Sequence, residues 1–251
     1  MTTKTLAIIA IGSLTLHACK REKDEPIPPA ATTGTVALKF TLMHGTDPFS
    51  LNTNYVDGAG NTFQFSKVKF YASDIHLTDH HDAVLAEFHD TYLLVDASAA
   101  NNEFTLGSMA PAEIHEAHIT LGLEPVVNAS DPMTAEAPLN DPDMMWAWST
   151  SAGRMFLKLE GRVDGNADGD VEDEQDIPFF YHCLNNPDLL RETHAHLHAE
   201  VVAGGTARMN AKVDMAVVVS GLDFLTNPAA MDGGVDCMEA MDSLAVSIDE
   251  L

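Results

Sequence analysis

Val36-Ala-Leu-Lys-Phe-Thr-Leu42 sets Val36, Leu38, Phe40 and Leu42 on one side of an extended chain and Ala37, Lys39 and Thr41 on the other. A period of two in the apolar residues is the pattern of a half-buried strand. Runs of the same kind follow at 62–68, 69–77, 84–88, 92–95, 118–123, 154–163, 177–181, 197–202 and 207–219. Turn-forming pairs separate them: Asp57-Gly58, Gly60-Asn61, Asn101-Asn102, Asp164-Gly165 and Gly204-Gly205. Many short strands punctuated in this way predict an all-β fold, a single antiparallel β-sandwich domain over 34–251. Helix is expected only in short pieces, at 110–116, 186–193 and 234–245.

The chain has 251 residues with 13 Lys+Arg against 38 Asp+Glu, a formal net charge of −25, and 12 His. So few cations exclude a nucleic-acid binder, because phosphate contacts are made by clustered Lys and Arg. A hydrophobic fraction of 45% is that of a folded chain and not of an acidic disordered one. The histidines raise a metal question: neutral imidazole is the commonest metal ligand, and a negative surface concentrates cations.

Lys4, the apolar run 6–16 and the ending Leu16-His17-Ala18-Cys19 predict a signal peptide over 1–18. That run is too short to remain as a membrane-spanning helix. The ending resembles a bacterial lipobox, which makes Cys19 the lipidated first residue of the mature chain. Residues 19–33 are charged and then Pro-rich, a flexible tether. The expectation is a lipoprotein held by its lipid at the outer membrane, periplasmic or on the cell surface. Export permits disulfides, and one bridge between Cys183 and Cys237 is the economical reading, with free buried thiols as the alternative.

Both tryptophans lie in Pro138-Leu-Asn-Asp-Pro-Asp-Met-Met-Trp-Ala-Trp148, where Trp146 and Trp148 share a face of an extended chain. Physically this segment serves as an apolar plug with Met144 and Met145, or as part of a pocket for a soft cation, since Cu(I) accepts imidazole and thioether ligands. Five strings in order, Phe63–Leu77 (FQFSKVKFYASDIHL), Leu121–Asn128 (LGLEPVVN), 138–148 (PLNDPDMMWAW), Phe156–Arg162 (FLKLEGR) and Phe179–Cys183 (FFYHC), resemble the MbnP-like copper-binding proteins. That resemblance implies an exported β-sandwich protein that binds copper through histidines and a tryptophan, the tryptophan being oxidised to kynurenine by a di-haem peroxidase-like partner. Carried over, Trp146 and Trp148 match the family's W-x-W, His182 its strand-terminal His, and His44 a ligand at the end of the first strand. Where the copper-binding branch has Asn-His after the GL-P strand, this chain has Asn128-Ala129. Apart from the resemblance, a lone His182 at a strand end also serves as a hydrogen-bonding structural residue.

Two further constellations stand out. Asp164, Asn166, Asp168, Gly169 and Asp170 reproduce the D-x-[DN]-x-[DN]-G pattern in which alternate oxygens converge on Ca²⁺. Position twelve is Gln175, so Glu174 or Asp176 has to supply the last carboxylate, and a solvated acidic hairpin tip is the alternative. In His194-Ala-His196-Leu-His198-Ala-Glu200 three imidazoles share a strand face, a secondary metal candidate or simply the wet side of a strand. No G-x-S-x-G, H-E-x-x-H, P-loop or dinucleotide fingerprint is present, so no enzyme is expected. The leading function is therefore copper binding or handling by an exported, lipid-anchored protein, and the runner-up is a calcium-stabilised surface adhesion or structural module.

Overall fold

Most of the period-two runs become strands in residues 32–146, 153–184, 186–231 and 233–251, which a computed structural model describes, but the run expected at 207–219 is strand only to Asp214 and turns helical at Met215–Val218. The expected signal peptide over 1–18, Cys19, all but the end of the expected tether over 19–33, and Trp148 lie outside the described residues. In chain order the strands are β1 (Gly34–His44), β2 (Asp47–Pro48), β3 (Asn54–Val56), β4 (Thr62–Thr78), β5 (Val84–Asp96), β6 (Glu103–Met109), β7 (Ala112–Ile114) and β8 (Glu116–Leu121). A short helix α1 (Pro125–Asn128) precedes β9 (Met155–Val163), β10 (Ile177–Leu184), β11 (Arg191–Ala195), β12 (Ala199–Val201) and β13 (Thr206–Asp214). The chain ends with α2 (Met215–Val218), β14 (Ala229–Met231), α3 (Val235–Val246) and β15 (Ile248–Glu250).

The all-β expectation holds, but the sheets are mixed. β1 runs parallel to β13 from Thr35 opposite Thr206 to Met43 opposite Asp214, and antiparallel to β6 on its other edge. In the eight-stranded sheet β10 pairs antiparallel with β9 and parallel with β14. Alternation fixes which face of a strand is buried and is silent on the direction of its neighbour. Two of the three expected helices are also corrected. Residues 112–114 and 116–121 are strands, with Ile114 on β7 and Ala117, Ile119 and Leu121 on β8 buried. In 186–193 only a 3-10 turn forms at Pro187–Leu189, capped by Asn186 Oδ1 accepting from Asp188 N at 2.9 Å, before β11 begins.

The two large sheets share one core. Phe40 of β1 meets Phe70 of β4 edge-on at 6.0 Å, and Phe63, Phe65, Phe179 and Phe224 form an aromatic nest in which Phe179 and Phe224 stack at 3.9 Å. Cys183 on β10 and Cys237 on α3 form a disulfide with Cα atoms 5.3 Å apart, which fastens the C-terminal helix to the sheet.

What positions the site is the other, outer face of the eight-stranded sheet. Residues 129–146 lie over it and are latched by Arg154, only 1% exposed. Its Nε donates to Leu139 O at 2.5 Å, and its Nη1 donates to the carbonyls of Val127, Asn128 and Ser130 at 3.0, 3.1 and 3.3 Å. Arg154 N donates to Asn128 Oδ1 at 2.7 Å, and the buried Tyr71 hydroxyl donates to Pro138 O at 2.9 Å.

Candidate metal centre

The latched segment delivers Trp146 to His182. The indole stands edge-on to the imidazole, with centroids 6.2 Å apart and planes at 84°. His182 lies on β10 between Lys158 of β9 and Met231 of β14 in the strand register, so these three side chains leave the same face of the sheet. His182 Nε2 is 2.8 Å from Glu160 Oε1, which orients the ring and leaves Nδ1 as the nitrogen to offer a ligand. Partial burial, helped by the charge of Lys158, outweighs the Glu160 hydrogen bond and lowers the His182 pKa, which favours the neutral, ligating form.

An ion cluster surrounds the pair. Asp143 Oδ1 accepts from Lys67 and from Lys158, each at 2.7 Å, and Asp143 Oδ2 lies 3.2 Å from Lys69. Lys69 also meets Asp96 at 3.1 Å and Asp141 at 3.2 Å, while Glu160 lies 3.2 Å from Lys158 and 3.5 Å from Lys67. Three ammonium groups thus face four carboxylates, a net charge of −1. Burial would lower Lys69 and raise Asp143, but in both the partners prevail: Lys69 is pushed up to about 12, and hydrogen bonds from Lys158 and Lys67 hold the Asp143 carboxyl well below the usual carboxylate range.

The other candidate ligands are dispersed. His44, at the end of β1 in the other sheet, stacks on Tyr55 at 4.3 Å, and its Nε2 is buried without a hydrogen-bond partner among the described residues. None of its described contacts is with His182 or Trp146. In the acidic loop the carboxylates turn onto the backbone. Asp164 accepts from the N–H groups of Asn166, Ala167 and Gly169, and Asp176 from those of Gly165 and Asp173. Asn166 donates to Asp168 at 2.9 Å, Asp168 accepts from Asp170 N, and Glu174 is exposed. Gly169, at φ +96°, makes the turn. The histidine strip divides: His194 and His196 approach Glu116 at 3.5 and 3.2 Å, whereas His198 pairs with Glu250 at 3.0 Å.

Sequence reasoning missed two things. Glu160 and the lysine cluster lie inside the quoted strings, yet only the β4–β9–β10 register brings them to His182. The groups in which three donor atoms lie within 4.8 Å of one another, Asp74 with His76 and His89, and Glu116 with His118 and His194, were also missed. Their signal was an acid two residues before each histidine.

The MbnP family model matches residues 33–239. MbnP from Methylosinus trichosporium is a similar solved structure, at 16% identity and a TM-score of 0.49, over 82% of this chain and 83% of that one. No curated protein matches the sequence. The resemblance seen in the ordered strings from Phe63 to Cys183 is borne out by the family model, and the chain belongs to the MbnP family.

Proposed function

We propose that this protein is an exported, lipid-anchored member of its family that binds and handles copper in the periplasm or at the cell surface. The observation that carries the reading is Trp146 set edge-on against a His182 whose far nitrogen is held by Glu160. The donors suit Cu(I) as cargo: a neutral imidazole and, opposite it in register, the thioether of the half-exposed Met231, both of them ligands that a soft cation accepts. A surrounding charge of −1 matches a monovalent ion. His182 and Met231 would hold the ion, the indole would shield it from water, and Lys158 and Glu160 would fix the imidazole.

The full chain isolated from copper-supplied cells is expected to retain Cu(I) near one ion per chain, and His182→Ala to lose it. Met231→Leu should weaken retention about tenfold, the scale of a disturbed metal shell. Co-expression with the di-haem partner enzyme that the family implies should convert Trp146 or Trp148 to kynurenine, read from peptide masses. Full retention in His182→Ala would sink the reading. A calcium-stabilised module is the second reading. It is favoured by Asp164 and Asp176, 6% and 4% exposed at the two ends of the acidic loop. It predicts a Ca²⁺-dependent rise in melting temperature that Asp168→Ala abolishes.

A further inference from the structure

The outer face of the eight-stranded sheet carries a second chemistry at the far end of β4. Four strands adjoin there in the order β5, β4, β8, β11, and each holds an acid two residues before a histidine. These are Glu87-Phe-His89, Asp74-Ile-His76, Glu116-Ala-His118 and Glu192-Thr-His194. A spacing of two puts acid and imidazole on one face while the residue between them turns inward. Ile75, Ala117 and Thr193 are buried accordingly. His76 stands opposite both Glu87 and His118 in the register, and His118 opposite His194, so three imidazoles form a row across β4, β8 and β11, with His89 of β5 edge-on to His76 at 5.1 Å.

The strand irregularities aim two of these side chains. Ser73 and Ile75 pair with Thr120 and Ile119, leaving Asp74 as a bulge residue at φ +45°. On the other side the partners are Tyr92 and Phe88, so His89, Asp90 and Thr91 lie against that bulge. Bulges of this kind redirect side chains. Asp74 Oδ1 is 2.7 Å from His89 Nδ1 and 3.1 Å from His76 Nε2. Glu116 Oε1 is 2.9 Å from His118 Nε2 and 3.5 Å from His194 Nδ1, and Glu116 Oε2 is 3.2 Å from His196 Nδ1. Three of the rings also show their second nitrogen to a further carboxylate: His89 to Glu87 at 3.5 Å, His118 to Glu192 at 3.5 Å, and His194 to Glu192 at 3.4 Å. A carboxylate behind the imidazole is the usual outer shell of a metal-ligating histidine.

We propose that this acid-x-His ladder binds divalent first-row transition-metal ions, one at Asp74/His76/His89 and one at Glu116/His118/His194. Imidazole nitrogen with carboxylate oxygen suits Zn(II) or Cu(II). Hard Ca²⁺ takes six or more oxygens, and Cu(I) favours the softer donors near His182. The His89 and His194 side chains are 60% and 55% exposed, which leaves the remaining coordination positions to solvent and the ions exchangeable. The site is separate from the Trp146–His182 pair and does not rest on the copper reading.

The test is titration of the full chain with Zn(II) alone, followed by calorimetry. Binding is expected at both groups, and His76→Ala/His118→Ala should weaken it about tenfold or more. The turn pair His80→Ala/His81→Ala should bind as the parent does. Asp74→Asn/Glu116→Gln preserves shape and should show the same loss, so a misfolded alanine variant does not decide the matter. Parent-like affinity in the ladder variants, or an equal loss in the turn pair, overturns the proposal.

Discussion

Asp143 shows how much of the site rests on single residues. Its carboxylate is the common acceptor of Lys67, Lys69 and Lys158, and those partners hold it below the ordinary value of 3.8 despite partial burial. A carboxyl depressed in the folded state adds stability that is fully present above the unfolded value and is lost as pH falls through the folded one. Asp143→Asn should therefore cost about 1–2 kcal/mol at neutral pH, a figure kept small because the pair is partly solvated. The gap from the parent should narrow as pH drops below about 4 in urea denaturation; a gap that widens there would refute the assignment. Arg154 works differently, as a cation held by carbonyls through its Nε and Nη1. Arg154→Ala leaves the carbonyls of Val127, Asn128, Ser130 and Leu139 without its donors and should cost about 3 kcal/mol. Because it frees the segment that presents Trp146, it should also lower copper retention, measured on the same preparations. Neither role was legible in the sequence. A lysine at position 67 or an arginine at 154 looks like solvated strand polarity until residues 127–143 pack against it.

At the scale of the element, alternation read correctly where strands bury one face and failed where context decides. The runs at 62–68 and 69–77 read as two strands, yet β4 is one, carried past irregularities at Phe65/Lys67 and Ser73/Ile75. The helix at 234–245 was legible because Gly234 precedes a run with helical spacing, and it forms as α3. Residues 110–116 carry helix-favouring Ala and Glu, but pairing to strands distant in sequence overrides that weak preference. Two elements invite tests. A Cβ on Gly161 of β9 would lie 2.0 Å from the Gln64 carbonyl oxygen and 2.6 Å from the Phe179 ring. Gly161→Ala must therefore push β4 and β9 apart, with an expected loss of about 2–3 kcal/mol in chemical denaturation. The Cys183–Cys237 bridge closes a loop with a sequence separation of 54, and the chain-entropy estimate for its removal is about 4 kcal/mol. Cys237→Ala should show that loss, and a reductant should impose it on the parent while leaving the variant unchanged.

Across the whole molecule, charge and histidine act at different ranges. Histidine count raised the metal question, but which imidazoles meet depends on β8 and β11 flanking β4, pairings between residues 76, 118 and 194 that no local pattern encodes. The acid-x-His spacing was on view six times in the sequence, at 79/81 and 113/115 as well as in the ladder; which four belong together appeared only when those strands became neighbours. The net charge of −25 needs no such assembly, because it acts through self-repulsion of the folded chain. Salt has two opposed effects here. It weakens the Lys67/Lys69/Lys158 pairs, which are partly buried and so poorly screened, and it weakens the repulsion among exposed carboxylates, which is screened well. Raising ionic strength from about 0.01 to 0.15 M shortens the screening length from about 30 to 8 Å, so the long-range repulsion falls most. The melting temperature is accordingly expected to rise with NaCl over that range. A fall would mean that the lysine cluster, rather than the acidic surface, dominates the electrostatics of the fold.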